Sequence, residues 1–195
     1  MGISNPIGNN SYGDCTLEQK ACLDLPNGND LNTGLEANQD VLEKVVFYLS
    51  SLSPPKRRLV NDSEVLRGKE IFYKSKCISC HTPKYVTSKN ADFDFLKYQL
   101  IWPYTDLLLH DMGEGLADRD MEGNITNKEW KTPPLWGIGL AKVVNPRATF
   151  LHDGRANTIM EAVLWHSGEA KKSLEYLIEK YGNDLDKLEK FLKSL

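Results

Sequence analysis

Cys77-Ile78-Ser79-Cys80-His81 carries the clearest chemistry in this chain. Two thiols three positions apart point to one side of a helical turn. They can form thioethers to the two vinyl groups of a haem, and the adjoining imidazole can then bind the iron. The C-x-x-C-H pattern is therefore expected to attach one covalent haem c through Cys77 and Cys80, with His81 as the proximal ligand. Two other chemistries use paired thiols. A thioredoxin-like redox motif normally sits in a βαβ setting, and no strand-rich pattern flanks these residues. A zinc site would draw on Cys15 and Cys22 as well, but their spacing of seven is wider than that of a zinc knuckle.

A haem iron has a second axial position. His110, His152, His166, Met112, Met121 and Met160 could fill it. Thr158-Ile159-Met160-Glu161 resembles a capping box. The helix it would start places Ile159, Ala162, Val163 and His166 on one face, at i, i+3, i+4 and i+7. His166 is then the polar end of an apolar stripe. Without a haem, a histidine there is a core residue bonded to a main-chain carbonyl. With one, it is the leading candidate for the iron, and Met112 in His110-Asp111-Met112-Gly113 is the alternative. Met160 is expected to point off the stripe and pack.

These residues need a frame. Asn61-Asp62-Ser63 is good helix-capping chemistry, and Val65, Gly68, Ile71 and Phe72 make an apolar stripe leading into Cys77. Gly68 lacks a Cβ and would admit a second helix closely. The far end of the chain offers one: Leu185, Leu188, Phe191, Leu192 and Leu195 repeat at helical spacing after a cap at Asn183. A helix with glycine, then C-x-x-C-H, then an amphipathic last helix with a buried aromatic is the layout of a cytochrome c domain. The predicted class is all-α, a cytochrome c-like domain with long loops over residues 59–195. Residues 1–58 hold a loop rich in Asn, Gly, Asp and Pro, then a helix from about Leu35 to Leu52. That helix has the character of a last helix without its first, so this segment is expected to be the tail of a second, upstream cytochrome c-like domain. Residues 83–150 are poor in periodicity and are expected to be long loops of the cofactor-wrapping kind.

The chain has 195 residues, 41% hydrophobic and 26% charged, with a net charge of −3. It can bury a core, and its charge gives no reason to invoke nucleic acid. No apolar run is long enough for an integral membrane segment. Met1 to Pro6 has neither the basic start nor the apolar core of a signal peptide. Haem attachment to C-x-x-C-H takes place outside the cytoplasm, so a periplasmic location is expected, with this chain a fragment or mature product of a longer exported one. Cys15 and Cys22 are close enough to close a small disulfide loop in that setting.

Several segments together resemble the di-haem oxidoreductase family, which is similar to bacterial di-haem cytochrome c peroxidases. They are Gly68…Phe72…Cys77-Ile78-Ser79-Cys80-His81-Thr82-Pro83, Leu109-His110-Asp111-Met112-Gly113, Glu129-Trp130-Lys131-Thr132-Pro133-Pro134-Leu135-Trp136-Gly137 and Phe150-Leu151-His152-Asp153-Gly154-Arg155-Ala156…Glu161-Ala162-Val163-Leu164-Trp165-His166. Asp14-Cys15-Thr16…Ala21-Cys22 and Val46-Phe47-Tyr48 look like the family's inter-domain region. The resemblance implies two domains with one c-type haem each, of which the C-terminal haem relays electrons to a second haem or a redox partner protein. No second C-x-x-C-H stands in this chain, so no catalytic residue is carried over. In the peroxidases the relay haem's distal ligand is a Met, and the matching position here is His166, so bis-His ligation is implied, with a lower potential than His/Met ligation. Trp136 stands where the peroxidases carry an Arg. Lys131 either pairs with a haem propionate or is a solvated surface lysine, and His152 and Arg155 are expected to orient ligand or propionate. The peroxidases' inter-domain calcium is not expected, because Arg147-Ala148-Thr149 departs from that segment. The alternative function is a stand-alone, non-catalytic electron carrier or haem-binding module.

Overall fold

The computed structural model describes residues 3–13 and 15–195. Met1, Gly2 and Asp14, which belong to the N-terminal motifs above, lie outside the described residues. The chain forms two compact units, Met1–Ser53 and Pro54–Leu195.

Side chains that bond their own backbone shape the first unit. The Asn5 carboxamide oxygen accepts from the amides of Ile7 and Gly8, and the Asp30 carboxylate accepts from those of Asn32 and Thr33. Such local bonds favour turns over regular structure. One helical turn, α1 (Lys20–Leu23), carries Cys22, whose Cα lies 6.1 Å from that of Cys15 with the two sulfurs at bonding distance. The helix α2 (Gln39–Ser51) begins where the Asn38 side chain accepts from the amide of Val41. It ends as Leu52 turns extended before Ser53-Pro54, where proline disfavours helix for its neighbour. Among the described residues α2 buries none, and Val41, Val45, Tyr48 and Leu49 are all exposed.

In the second unit the Asp62 carboxylate accepts from the amides of Glu64 and Val65 and starts α3 (Ser63–Lys74). The middle of the unit holds β1 (Tyr85–Val86), β2 (Leu100–Ile101), β3 (Leu109–Asp111), β4 (Asp118–Arg119), β5 (Ile125–Asn127), β6 (Glu129–Lys131) and α4 (Ala141–Val144). Then come α5 (Ile159–Leu164), α6 (Lys171–Tyr181) and α7 (Leu185–Ser194). The apolar stripes of α3 and α7 meet: Val65, Ile71 and Phe72 pack with Leu188, Phe191, Leu192 and Leu195, and Tyr104, Leu135, Ile159 and Leu177 complete the core. Each such side chain contributes about 1.5–3 kcal/mol when fully buried. Gly68 sets how closely the helices approach, since a Cβ there would overlap the main-chain carbonyl of Lys187.

The all-α expectation does not hold. Three antiparallel ladders, β1 with β2, β3 with β6 and β4 with β5, occupy the stretch expected to be loop. Each strand is two or three residues long, below the length over which alternation becomes recognisable. The capping expectation at Asn183 also fails. A 3-10 turn, Gly182–Asp184, leads into α7, and the N-cap residue is Asp184, which makes no side-chain capping bond. Among the described residues, no helix is long and apolar enough to cross a membrane.

Candidate haem site

The thiol pair hangs from the end of α3. Lys76 takes a left-handed conformation, φ 62°, that breaks the helix. A 3-10 turn over Cys77–Ser79 follows, and the amide of His81 donates to the carbonyl of Cys77 at 2.9 Å. Cys77 packs against the core. Burial pushes its thiol up to about 11, and burial together with nearby Asp106 and Glu169 raises that of Cys80. Both are held as neutral thiols, unlike the thiolates of a disulfide-exchange pair.

The fold brings His166 to His81. Their ring centroids lie 6.3 Å apart, with the planes inclined at 43°. His81 donates from Nδ1 to the carbonyl of Tyr104 at 3.0 Å, and His166 from Nδ1 to the carbonyl of Ala162 at 2.8 Å. A carbonyl can only accept, so the proton sits on Nδ1 in both rings and Nε2 keeps its lone pair. Metal-binding histidines are oriented in this way, with the second nitrogen tied to a main-chain carbonyl. Burial lowers His81 to about 4 and also lowers His166, so both rings are neutral at pH 7. A metal bound to one nitrogen of each ring at about 2 Å, with each nitrogen about 1 Å from its centroid, sets the centroids about 6 Å apart. The donor set and its spacing therefore fit an iron between the two rings.

Two supports hold these rings. Below His81, the Phe72 ring lies 6.0 Å away and itself packs on Tyr104 and Phe191. On the other side the Thr158 hydroxyl caps α5 by accepting from the amide of Glu161, while the Glu161 carboxylate accepts from the amide of Asn157, one residue before the cap, in place of the reciprocal bond of a capping box. The helix is shorter than the stripe suggests. It ends at Leu164, and His166 follows on a tightened turn, its amide donating to the carbonyl of Val163 at 3.2 Å. Beyond it, Gly168 at φ 54° lies against the carbonyl of Asp111 and the amide of Gly113. The segment carrying Met112 thus adjoins the one carrying His166. Met160 packs against the core, and Met121 stands fully exposed.

The remaining candidates have other partners. His110 is gripped between carboxylates, Nε2 to Asp106 and Nδ1 to Glu169, each at 2.8 Å, and these bonds raise its pKa. Cys80, Asp106 and His110 bring donor atoms within 4.8 Å of one another, a cluster that sequence reasoning missed. Nothing marks it in the sequence beyond a carboxylate four positions before a histidine. His152 stacks flat on Trp130, with centroids 3.6 Å apart, and its Nε2 bonds Asp118. Arg155 pairs with Asp153, donates to the carbonyl of Gly115 and lies 4.9 Å over the Trp165 ring. It therefore braces the residue before His166. Lys131 is exposed on β6, opposite Leu109.

A family model described as "Di-haem oxidoreductase, putative peroxidase" matches residues 3–195. No curated protein and no solved structure matches the chain.

Proposed function

The chain belongs to the di-haem oxidoreductase family, and from that premise we propose that Pro54–Leu195 is its electron-relaying haem domain. The family implies haem binding. In this proposal Cys77 and Cys80 would hold one haem c as thioethers, and His81 and His166 would ligate its iron. The observation that carries it is the pair of neutral, back-bonded imidazoles with centroids 6.3 Å apart. A haem so ligated supplies a one-electron couple with no free coordination position.

The chain's own residues fix the site. The carbonyls of Tyr104 and Ala162 hold the imidazole tautomers and orient the rings. The packing of Phe72, Tyr104 and Phe191 limits water beneath His81. No residue here is assigned acid–base work on an oxidant, and in this proposal the oxidant would meet a second haem on a partner domain. The apolar, exposed positions of α2 support such a domain, since a helix of this composition is normally buried on one face. The apposed Cys15 and Cys22 suit a disulfide and an exported, periplasmic setting.

The test is turnover by the full-length protein with hydrogen peroxide and a reduced donor. Peroxide-dependent oxidation of the donor, lost when His166 is replaced, supports a relay inside an enzyme. Fast electron exchange without turnover would instead favour a non-catalytic carrier.

A further inference from the structure

A cleft of about 460 Å³ in the second unit is lined in part by Arg57, Lys69, Trp102, Tyr104, Trp136 and Leu195. Its walls are mostly aromatic and aliphatic. The charged side chains among its described lining residues are cations, and none is a carboxylate. A further cation, Lys84, lies 5.5 Å over the Trp102 ring.

Two donors in this lining lack acceptors. The Tyr104 hydroxyl and Nη2 of Arg57 are buried with no hydrogen-bond partner among the described residues, and Tyr104 as a whole is only 1% exposed. Aromatic packing fixes both groups. The Tyr104 ring stands edge-on to Phe72 and Phe191, at 5.9 and 5.8 Å. The Arg57 guanidinium lies 5.2 Å over Phe191, with Nε 3.5 Å from the Ser194 hydroxyl. A buried donor without a partner costs about 1–3 kcal/mol. The fold holds two on residues that line one cavity, so a small movement of the lining would let an acceptor brought in from outside satisfy them.

We propose that this cleft binds a small organic anion, one carboxylate on a flat apolar body. Arg57 and the Tyr104 hydroxyl donate to the carboxylate, Lys69 adds to the positive field, and Trp102 and Trp136 flank the body. A planar guanidinium suits a carboxylate, and indole faces suit a flat ring. A carboxylate could also come from a haem propionate. A free molecule is favoured because Cys77, Cys80, His81 and His166 are all absent from the lining. The proposal stands apart from the haem assignment, although Tyr104 links the two places: its hydroxyl belongs to the cleft's donor pair, and its carbonyl holds His81.

The test is isothermal titration of naphthalene-2-carboxylate into the full chain as purified, with the haem in place. One molecule should bind per chain. Naphthalene-2-carboxamide, which keeps the shape and loses the charge, should bind about tenfold more weakly or worse. Tyr104→Phe should weaken the carboxylate about tenfold while leaving the fold intact, because it removes a hydroxyl that is unpartnered in the free protein. Arg57→Lys should weaken it as well. Equal affinity for acid and amide, or unchanged affinity in Tyr104→Phe, would overturn the proposal. So would binding to haem-free protein alone, which would make the acceptor the haem's own carboxylate.

Discussion

Gly168 lies so close to the main-chain carbonyl of Asp111 that a Cβ on it would overlap that oxygen. Its φ of 54° also belongs to the region that side-chain-bearing residues avoid. Gly168→Ala must therefore move the loop that follows His166, or the strand β3 facing it. The expected cost is about 1–3 kcal/mol of stability, read by chemical denaturation. A mixed or altered axial-ligand spectrum should accompany it, because the displaced segment adjoins His166.

Gly68 plays the corresponding part between α3 and α7. Gly68→Ala puts a methyl group into the Lys187 carbonyl and within 2.8 Å of the Phe191 Cβ. Backbone cannot yield as a flexible side chain would. A loss of about 3 kcal/mol or more is expected, against about half a kcal/mol or less for Ala substitution at exposed Lys74. Equal effects at these positions would show that the helices do not meet here.

The grip on His110 makes stability depend on pH. Its bonds to Glu169 and Asp106 raise its pKa in the folded state, while the unfolded value is about 6.5. The stabilisation is thus fully present below about pH 6.5 and is lost as pH rises through the raised folded value. Asp106 and Glu169 are lowered and act in the opposite sense, losing their contribution as pH falls through their folded values. Denaturation midpoints should therefore decline on the alkaline side in the native protein and less so in His110→Gln. A steeper decline in the variant would refute the assignment.

Ligand identity should appear in the potential. Thioether sulfur raises a haem potential relative to a second imidazole. Spectroelectrochemistry of His166→Met is expected to give a higher midpoint than the native protein. A lower or unchanged midpoint would mean that position 166 does not reach the iron.

How much of this was legible in the sequence depended on length and locality. The stripes of α3 and α7 were readable because each helix runs ten residues or more with its apolar positions at helical spacing, and buried Val65, Ile71, Phe72, Leu188 and Phe191 follow them. The strands were not, because Leu109–Asp111 and Glu129–Lys131 are too short to show alternation and pair across distant sequence. Leu174, Leu177, Ile178 and Tyr181 share one face of α6, but only Leu177 is buried and Ile178 is exposed, so its stripe marks a weaker contact than those of α3 and α7. The contacts of His152 with Trp130, and of His110 with Glu169, join segments far apart in the sequence. Spacing along one element cannot reveal such pairs.

The central claim is that His81 and His166 close one haem iron between them. Absorption and electron paramagnetic resonance spectra of the oxidised full-length protein, compared with those of His166→Ala, test it most directly. The native protein should be six-coordinate and low-spin, and the variant should lose that signature while Cys77 and Cys80 keep the haem attached. A low-spin spectrum unchanged by the substitution would contradict the claim and turn attention to Met112.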